Sequence, residues 1–312
     1  MERTRIDATE LWTLLGSPGG APPLSRCATV GSTSMAGQIV EEIRLSTHAG
    51  DFPGTVIRPD GPGPFPSILY CHAHGNRYDI GRRELLGGRP ALQDPPYGPL
   101  LAARGYLVFC IDVAGFGERH AEGAESALAK KALWRGRTLL GDMLANLSAA
   151  LDHLCDRPDV DRARIATFGI SMGATHAYWL AALDKRIAAA AHLCVFSNIA
   201  VLIEAGQHDL HGIYMTVPGL LNRCDMGDVA ALVAPRPQFV GVGATDPLTP
   251  AGALEPALAT LRSAYAGAGA PDRLSVLVSP ETGHVETKEM RDAVLTFLDR
   301  SIGQSEPGRI SL

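Results

Sequence analysis

Gly169-Ile170-Ser171-Met172-Gly173 lies between two patterned segments, Arg164-Ile165-Ala166-Thr167-Phe168 before it and a helical repeat over Met172–Leu183 after it. A serine with glycine two positions away on either side, at a strand-to-helix junction, matches the nucleophile elbow. There the chain makes a strained turn that lifts the hydroxyl above the sheet, and the glycines let the strand and helix backbones approach closely. Ala174, Ala177 and Ala181 keep the following helix slim where it crosses the sheet. The bare string Gly-x-Ser-x-Gly occurs often by chance, so its placement after a strand and before a helix is what carries the reading.

Working outward, short and nearly continuous apolar runs recur at Ser67–Cys71, Tyr106–Ile111, Ile187–Val195, Gln238–Val242 and Leu274–Val278. Strands of this kind are buried on both faces, as in a parallel sheet covered by helices. Helical patterns fall between them at Leu100–Arg104, Leu133–Cys155, Gly252–Tyr265 and Thr287–Leu298. This alternation predicts an open α/β sheet. Ile39–Leu45 and Gly54–Arg58 alternate instead, and predict two antiparallel strands with one solvated face. The sum is a mostly parallel central sheet of about eight strands with helices on both faces. One catalytic domain is expected over 37–303, preceded by an arm or linker over 1–36 and followed by a tail over 304–312. The arm carries a short helical pattern over Asp7–Leu15 and a Gly/Pro cluster over Gly16–Pro23. Three stretches, 75–96, 114–137 and 196–233, exceed an ordinary connection of about 2–6 residues. The longest is a lid-like excursion between the sixth and seventh strands.

A serine hydroxyl at its free pKa is a poor nucleophile, so Ser171 needs a base and a carboxylate to orient that base. In a sheet of this type they follow in the order serine, acid, histidine, at strand ends. Asp246 follows the Gln238 strand in Gly243-Ala244-Thr245-Asp246-Pro247, and His284 follows the Leu274 strand in Glu281-Thr282-Gly283-His284. Taken singly, Asp246 is a turn residue before a proline and His284 a polar group before a helix; order and placement make them a triad with Ser171. Asp225 and Asp228 have no strand end to cap, and Glu204 would serve only if the acid followed the preceding strand. The oxyanion of a tetrahedral intermediate needs two amide donors. One is expected from Met172, the residue after the nucleophile, and one from Asn76 in His72-Ala73-His74-Gly75-Asn76, where Gly75 permits the turn. His74, Gly75, His211 and Tyr214 are candidate pocket residues; His208 and Met215 divide evenly between pocket and lid packing. His72 and His74 share one side of an extended chain, but no third ligand cluster accompanies them, so no metal is expected. Asp112, at a strand tip, is expected to pair with Arg119, and His176 to point away from Ser171. Lys130, Lys131, Arg135 and Arg137 read as a solvated helix face.

The chain has 312 residues, with 28 basic and 33 acidic side chains for a net charge of −5. That balance argues against nucleic-acid binding through a general electrostatic field. No apolar run approaches the ~18 residues of a membrane span, and Met1–Arg5 leads into no apolar leader. The six cysteines are scattered without Cys-x-x-Cys spacing, which fits free thiols in a reducing compartment, hence a cytoplasmic protein without membrane association. Oligomeric state is left open, a homodimer included.

From about residue 37 to 302 the chain resembles the α/β-hydrolases, and more narrowly the bacterial dienelactone-hydrolase-like and acetyl-xylan-esterase-like serine esterases. The similar segments are His72–Asn76, Asp112-Val113-Ala114-Gly115-Phe116-Gly117-Glu118-Arg119, the elbow, and Asp228-Val229-Ala230 leading through Ala234-Pro235-Arg236-Pro237 to Asp246. Dienelactone hydrolases themselves use a cysteine nucleophile, and Ser171 departs from that. The resemblance implies cofactor-free hydrolysis of carboxylic esters, short-acyl or small-molecule ones, through an acyl-enzyme. An amidase, peptidase or acyltransferase with the same triad, or a non-catalytic binding protein of this fold, is the alternative.

Overall fold

The computed structural model describes residues 6–303. The expected C-terminal tail, 304–312, and the first five residues of the arm lie outside the described residues. One sheet holds nine strands: β1 Arg26–Met35, β2 Gln38–Thr47, β3 Gly50–Pro59, β4 Phe65–Cys71, β5 Leu107–Ile111, β6 Val160–Ile170, β7 Ala189–Leu193, β8 Gln238–Gly243 and β9 Leu274–Ser279. Their order is β1-β2-β3-β5-β4-β6-β7-β8-β9. β1 to β3 form an antiparallel meander joined antiparallel to β5, and from β5 to β9 every pairing is parallel. The helices are α1 Ala8–Leu14, α2 Glu84–Gly87, α3 Tyr97–Ala103, α4 Glu125–Leu133, α5 Leu139–Asp156, α6 Met172–Leu183, α7 Ile199–Glu204, α8 Met226–Ala231, α9 Ala251–Gly267 and α10 Lys288–Ile302.

Strand alternation sends successive side chains into two cores. Leu69 and Cys71 of β4 join Leu147, Trp179 and Leu258 on one face, while Ile68 and Tyr70 join Tyr97, Phe168 and Leu298 on the other. The chain runs from β4 outward to β5 and then back across to β6, so strand order reverses beside β4. The crevice at the carboxyl ends of strands flanking such a reversal is where open α/β sheets bind ligands.

The arm is not a linker. Asp7 caps α1 by accepting from the Glu10 amide, and Leu11 and Trp12 are buried. Arg26–Met35 then adds an edge strand to β2, with a register shift between Thr29 and Gly31. This ninth strand left no hydrophobic pattern because an edge strand open to solvent on both faces needs none; Val30 and Met35 are exposed. The helical stretch expected over Leu133–Cys155 is split. α4 ends before Gly136, whose φ is +68°, and Thr138 restarts the helix by accepting from the Gly141 amide. β9 forms the other edge and is only partly buried.

Arg82, not Arg119, holds Asp112. The Asp112 carboxylate is fully buried and accepts from the Arg82 amide and guanidinium, both at 2.6 Å, and from the Glu118 amide at 3.0 Å. Arg119 instead donates to the Asp112 carbonyl, Asn146 and Glu122. Arg82 also reaches Glu42 and Glu118, tying the 75–96 excursion to the 114–137 excursion and to β2.

The tightest approach in the sheet lies beside Ser171. A Cβ added to Gly173 would sit 1.9 Å from the Cys71 carbonyl oxygen, and one added to Gly169 would sit 2.5 Å from the Gly173 carbonyl. Both obstacles are backbone, so relief requires moving β4 or α6. Gly173→Ala is expected to destabilise the fold by about 3 kcal/mol or more. Urea unfolding checks this, and a loss under about 1 kcal/mol would mean the backbones separate freely.

Candidate active site

β6 ends at Ile170, and α6 starts at Met172. Ser171 between them holds φ +58° and ψ −123° while its amide donates to the Leu193 carbonyl at 2.9 Å. The Ser171 Oγ lies 2.9 Å from Nε2 of His284, and Nδ1 of His284 lies 2.7 Å from Oδ2 of Asp246. Asp246 is 1% exposed and accepts from the Leu248 amide at 2.9 Å. A carboxylate only accepts, so it accepts a hydrogen bond from Nδ1–H of His284 and leaves the Nε2 lone pair for the serine hydroxyl. The loops bearing the acid and the histidine are laced together. The Thr245 amide donates to the Thr282 carbonyl, and Gly243 has no room for a side chain against the Thr282 and Gly283 backbone.

The other acids serve structure. Asp225 and Asp228 form a capping box at the start of α8, and Asp225 also accepts from the Ile199 and Ala200 amides. Glu204 is exposed on α7. His176 is buried in the core, with burial pulling its pKa down to about 3. His72 bridges the Ala73 carbonyl and the Val113 amide, and burial lowers its pKa too. Among the described residues, no group of three or more His, Cys, Asp or Glu is arranged to hold a metal ion.

On the opposite side of Ser171 lies the turn after β4. Gly75 and Asn76 both hold φ +53°. Beneath them Glu84 is buried, accepting from the Ala73 amide and the Tyr70 hydroxyl, and Arg89 pairs with Glu84 while donating to the Ala73 carbonyl. The Asn76 amide donates to Nδ1 of His74 at 3.0 Å, so the expected oxyanion donor already has an acceptor within the site. The Met172 amide is a first-turn donor of α6, which no helix carbonyl can satisfy.

These residues surround a cleft of about 700 Å³. Ser171 and His284 line it with His74, Gly75, His211 and Tyr214, all four of the candidate pocket residues; His208 does not line it, and Met215 is buried in the core. Sequence reasoning missed Tyr78, His120 and Glu125. Glu125 opens α4, where an acid reads as an ordinary first-turn charge and gives no other signal. Burial would raise its carboxyl, but hydrogen bonds from His74, the Tyr214 amide and Tyr78 take it below its usual value. Burial and the same carboxylate push the Tyr78 phenol up to about 12.

An open, mostly parallel sheet with a serine at the elbow after β6, an acid after β8 and a histidine after β9 is an α/β-hydrolase. Residues 98–205 match the dienelactone hydrolase family model. The chain is 36% identical to "Putative hydrolase YtaP" of Bacillus subtilis (strain 168) over 293 residues, 93% of this chain and 97% of that protein. Its fold is similar to acetyl xylan esterase 1 from Thermoanaerobacterium sp. JW/SL YS485, at a TM-score of 0.64 and 14% identity, covering 96% of this chain and 94% of that one. It is also similar to a glucuronoyl esterase from Solibacter usitatus, at a TM-score of 0.64 and 15% identity, covering 94% and 91%. The chain belongs to the same hydrolase family as that Bacillus subtilis protein and carries a dienelactone hydrolase family domain over residues 98–205.

Two predictions follow from this geometry. The positive φ at Ser171 costs on the order of 1–3 kcal/mol for a residue with a Cβ. Ser171→Gly should therefore be more stable than Ser171→Ala by about 1 kcal/mol, both having lost the hydroxyl; equal unfolding midpoints would mean the turn is unstrained. The second concerns acid. Because the Glu125 carboxyl is lowered in the folded state, its contribution is present above its unfolded pKa and lost as pH falls through the folded one. Glu125→Gln should lose less stability than the wild type between neutral pH and pH ~3 in denaturant unfolding.

Proposed function

We propose that this chain hydrolyses carboxylic esters of small molecules, preferring short acyl groups, through an acyl-enzyme on Ser171. The observation that carries the reading is the unbroken hydrogen-bond chain from Asp246 through His284 to Ser171, opening on a cleft of about 700 Å³. That volume suits a small molecule.

In this mechanism Nε2 of His284 takes the Ser171 proton as Oγ attacks the ester carbonyl carbon. Asp246 holds the imidazole in the required tautomer and stabilises the imidazolium that forms. The carbonyl oxygen becomes an oxyanion and accepts from the Met172 amide and from the Asn76 amide, which shares its N–H with Nδ1 of His74. The intermediate collapses as His284 gives its proton to the leaving alcohol oxygen, leaving the acyl group on Ser171. Water then enters, its oxygen attacks the acyl carbon as His284 takes its proton, and the C–Oγ bond breaks as His284 returns that proton to Ser171, releasing the acid. These steps need no cofactor. The names of the two structural relatives, acetyl xylan esterase and glucuronoyl esterase, agree with ester chemistry on this fold. All six cysteines are unpaired, which fits a reducing, cytoplasmic setting, and none of the described helices is long and apolar enough to cross a membrane.

p-Nitrophenyl esters from acetyl to decanoyl test the reading. kcat/KM is expected to fall with acyl length, Ser171→Ala to abolish turnover above background, and Asp246→Asn to lower kcat by about 10⁴-fold through the wrong tautomer. Full activity in Ser171→Ala would overturn the proposal.

A further inference from the structure

The cleft contains a second carboxylate–imidazole pair besides Asp246 and His284. Nε2 of His74 lies 2.5 Å from Oε2 of Glu125. Glu125 is 7% exposed; its Oε1 accepts from the Tyr214 amide at 2.9 Å, and its Oε2 also accepts from the Tyr78 hydroxyl at 3.1 Å. The His74 ring is fixed by neighbours: Tyr78 and Phe116 meet it edge-on with centroids at 4.9 and 5.1 Å, and Tyr214 stacks at 6.2 Å.

The tautomer of His74 follows from its partners. The Asn76 amide donates to Nδ1, so Nδ1 must carry a lone pair and the ring proton must sit on Nε2, facing a carboxylate that can only accept. The amide so held belongs to a turn with two consecutive left-handed residues, Gly75 and Asn76, closed by the Arg77 amide on the His74 carbonyl. A side-chain acceptor reaching the amide two residues on is how Asn and Asp stabilise such turns, and here a histidine does it.

We infer that Glu125 and His74 are positioning residues for ester hydrolysis: Glu125 fixes the His74 tautomer, and Nδ1 of His74 holds the Asn76 amide and the 74–77 turn in place beside Ser171. The inference rests on the ester-hydrolase mechanism proposed above. It also ties the turn to the long excursion, because the same carboxylate accepts from the Tyr214 amide.

The geometry distinguishes this role from simple packing. Asparagine at position 74 puts Oδ1 near the place of Nδ1 and can close an ordinary Asx turn on the Asn76 amide, although it no longer reaches Glu125. Glutamine at 74 reaches toward Glu125 and leaves the amide without its acceptor. Glu125→Gln presents an amide N–H to Nε2, which drives the ring proton to Nδ1 and sets it against the Asn76 N–H. With asparagine at 74 there is no tautomer to invert.

The test uses the full chain, p-nitrophenyl acetate, and a trifluoromethyl ketone, whose adduct with Ser171 carries the oxyanion. His74→Gln and Glu125→Gln are expected to lower kcat about tenfold or more with KM within about twofold, and to weaken the ketone in proportion, a fraction of what losing an oxyanion donor costs. His74→Asn should stay within about threefold of the wild type. Adding Glu125→Gln to His74→Asn should cost less than about threefold, a non-additivity expected of coupled neighbours. Equal losses in His74→Asn and His74→Gln would overturn the inference, as would the same Glu125→Gln cost in both backgrounds or a loss confined to KM. Unfolding midpoints are measured for every variant, and if His74→Gln does not fold, the Glu125→Gln cycle decides. Ser171-dependent turnover untouched by these changes would sink this inference alone; turnover that survives Ser171→Ala would sink the ester mechanism and this inference with it.

Discussion

α6 leaves β6 through a turn with no space for a side chain on its helix flank, and the rest of the site is built around that contact. The Cys71 carbonyl of β4 occupies the volume a Gly173 Cβ would need. With β4 and α6 this close, the intervening serine takes a positive φ and its hydroxyl stands above the sheet edge. The same contact places the turn after β4 beside the serine, because that turn begins where the Cys71 carbonyl meets the helix. Ser171 and the loop after β4 are therefore positioned by one steric constraint.

The parallel strands then bring distant segments to the same edge. Ser171 and His284 lie 113 residues apart in sequence yet share a hydrogen bond, because β6, β7, β8 and β9 are consecutive parallel neighbours whose carboxyl ends point one way. Asp246 is desolvated and held by the Leu248 amide, so its negative charge is directed at a single imidazole. Across the cleft, buried charges fasten the excursions. Asp112 with Arg82 and Glu125 with His74 each join a loop to a distant element, and Glu84, paired with Arg89, accepts from Tyr70 and Ala73 at the end of β4. Such pairs contribute little net stability over apolar residues, but losing one partner leaves a buried charge and is costly. Their effect is to fix the loops in one arrangement.

The legibility of each feature tracks its physical origin. The strands β4 to β8 were readable because burial on both faces demands continuous apolar residues. The hydrogen-bonded set of Ser171, Asp246 and His284 was readable because its members sit at strand ends in a fixed order. β1 was not, since an edge strand open to solvent is under no pressure to be apolar. Arg82 was not, because an arginine in a loop bears no mark of the aspartate it will meet; Arg119 is nearer Asp112 in sequence but meets only its carbonyl. Glu125 was hidden for the same reason, its three partners coming from 47 to 89 residues away.

The sequence alone determined the sheet class, the elbow and the identities of serine, acid and histidine, because these depend on local periodicity and on backbone geometry that few residues satisfy. The tertiary structure alone decided that Asp225 and Asp228 cap α8, that Glu125 meets His74, and that the Asn76 amide is held by His74. Those outcomes depend on distances and desolvation between chain segments, and a side chain's partner is set by the folded geometry rather than by its neighbours in the chain.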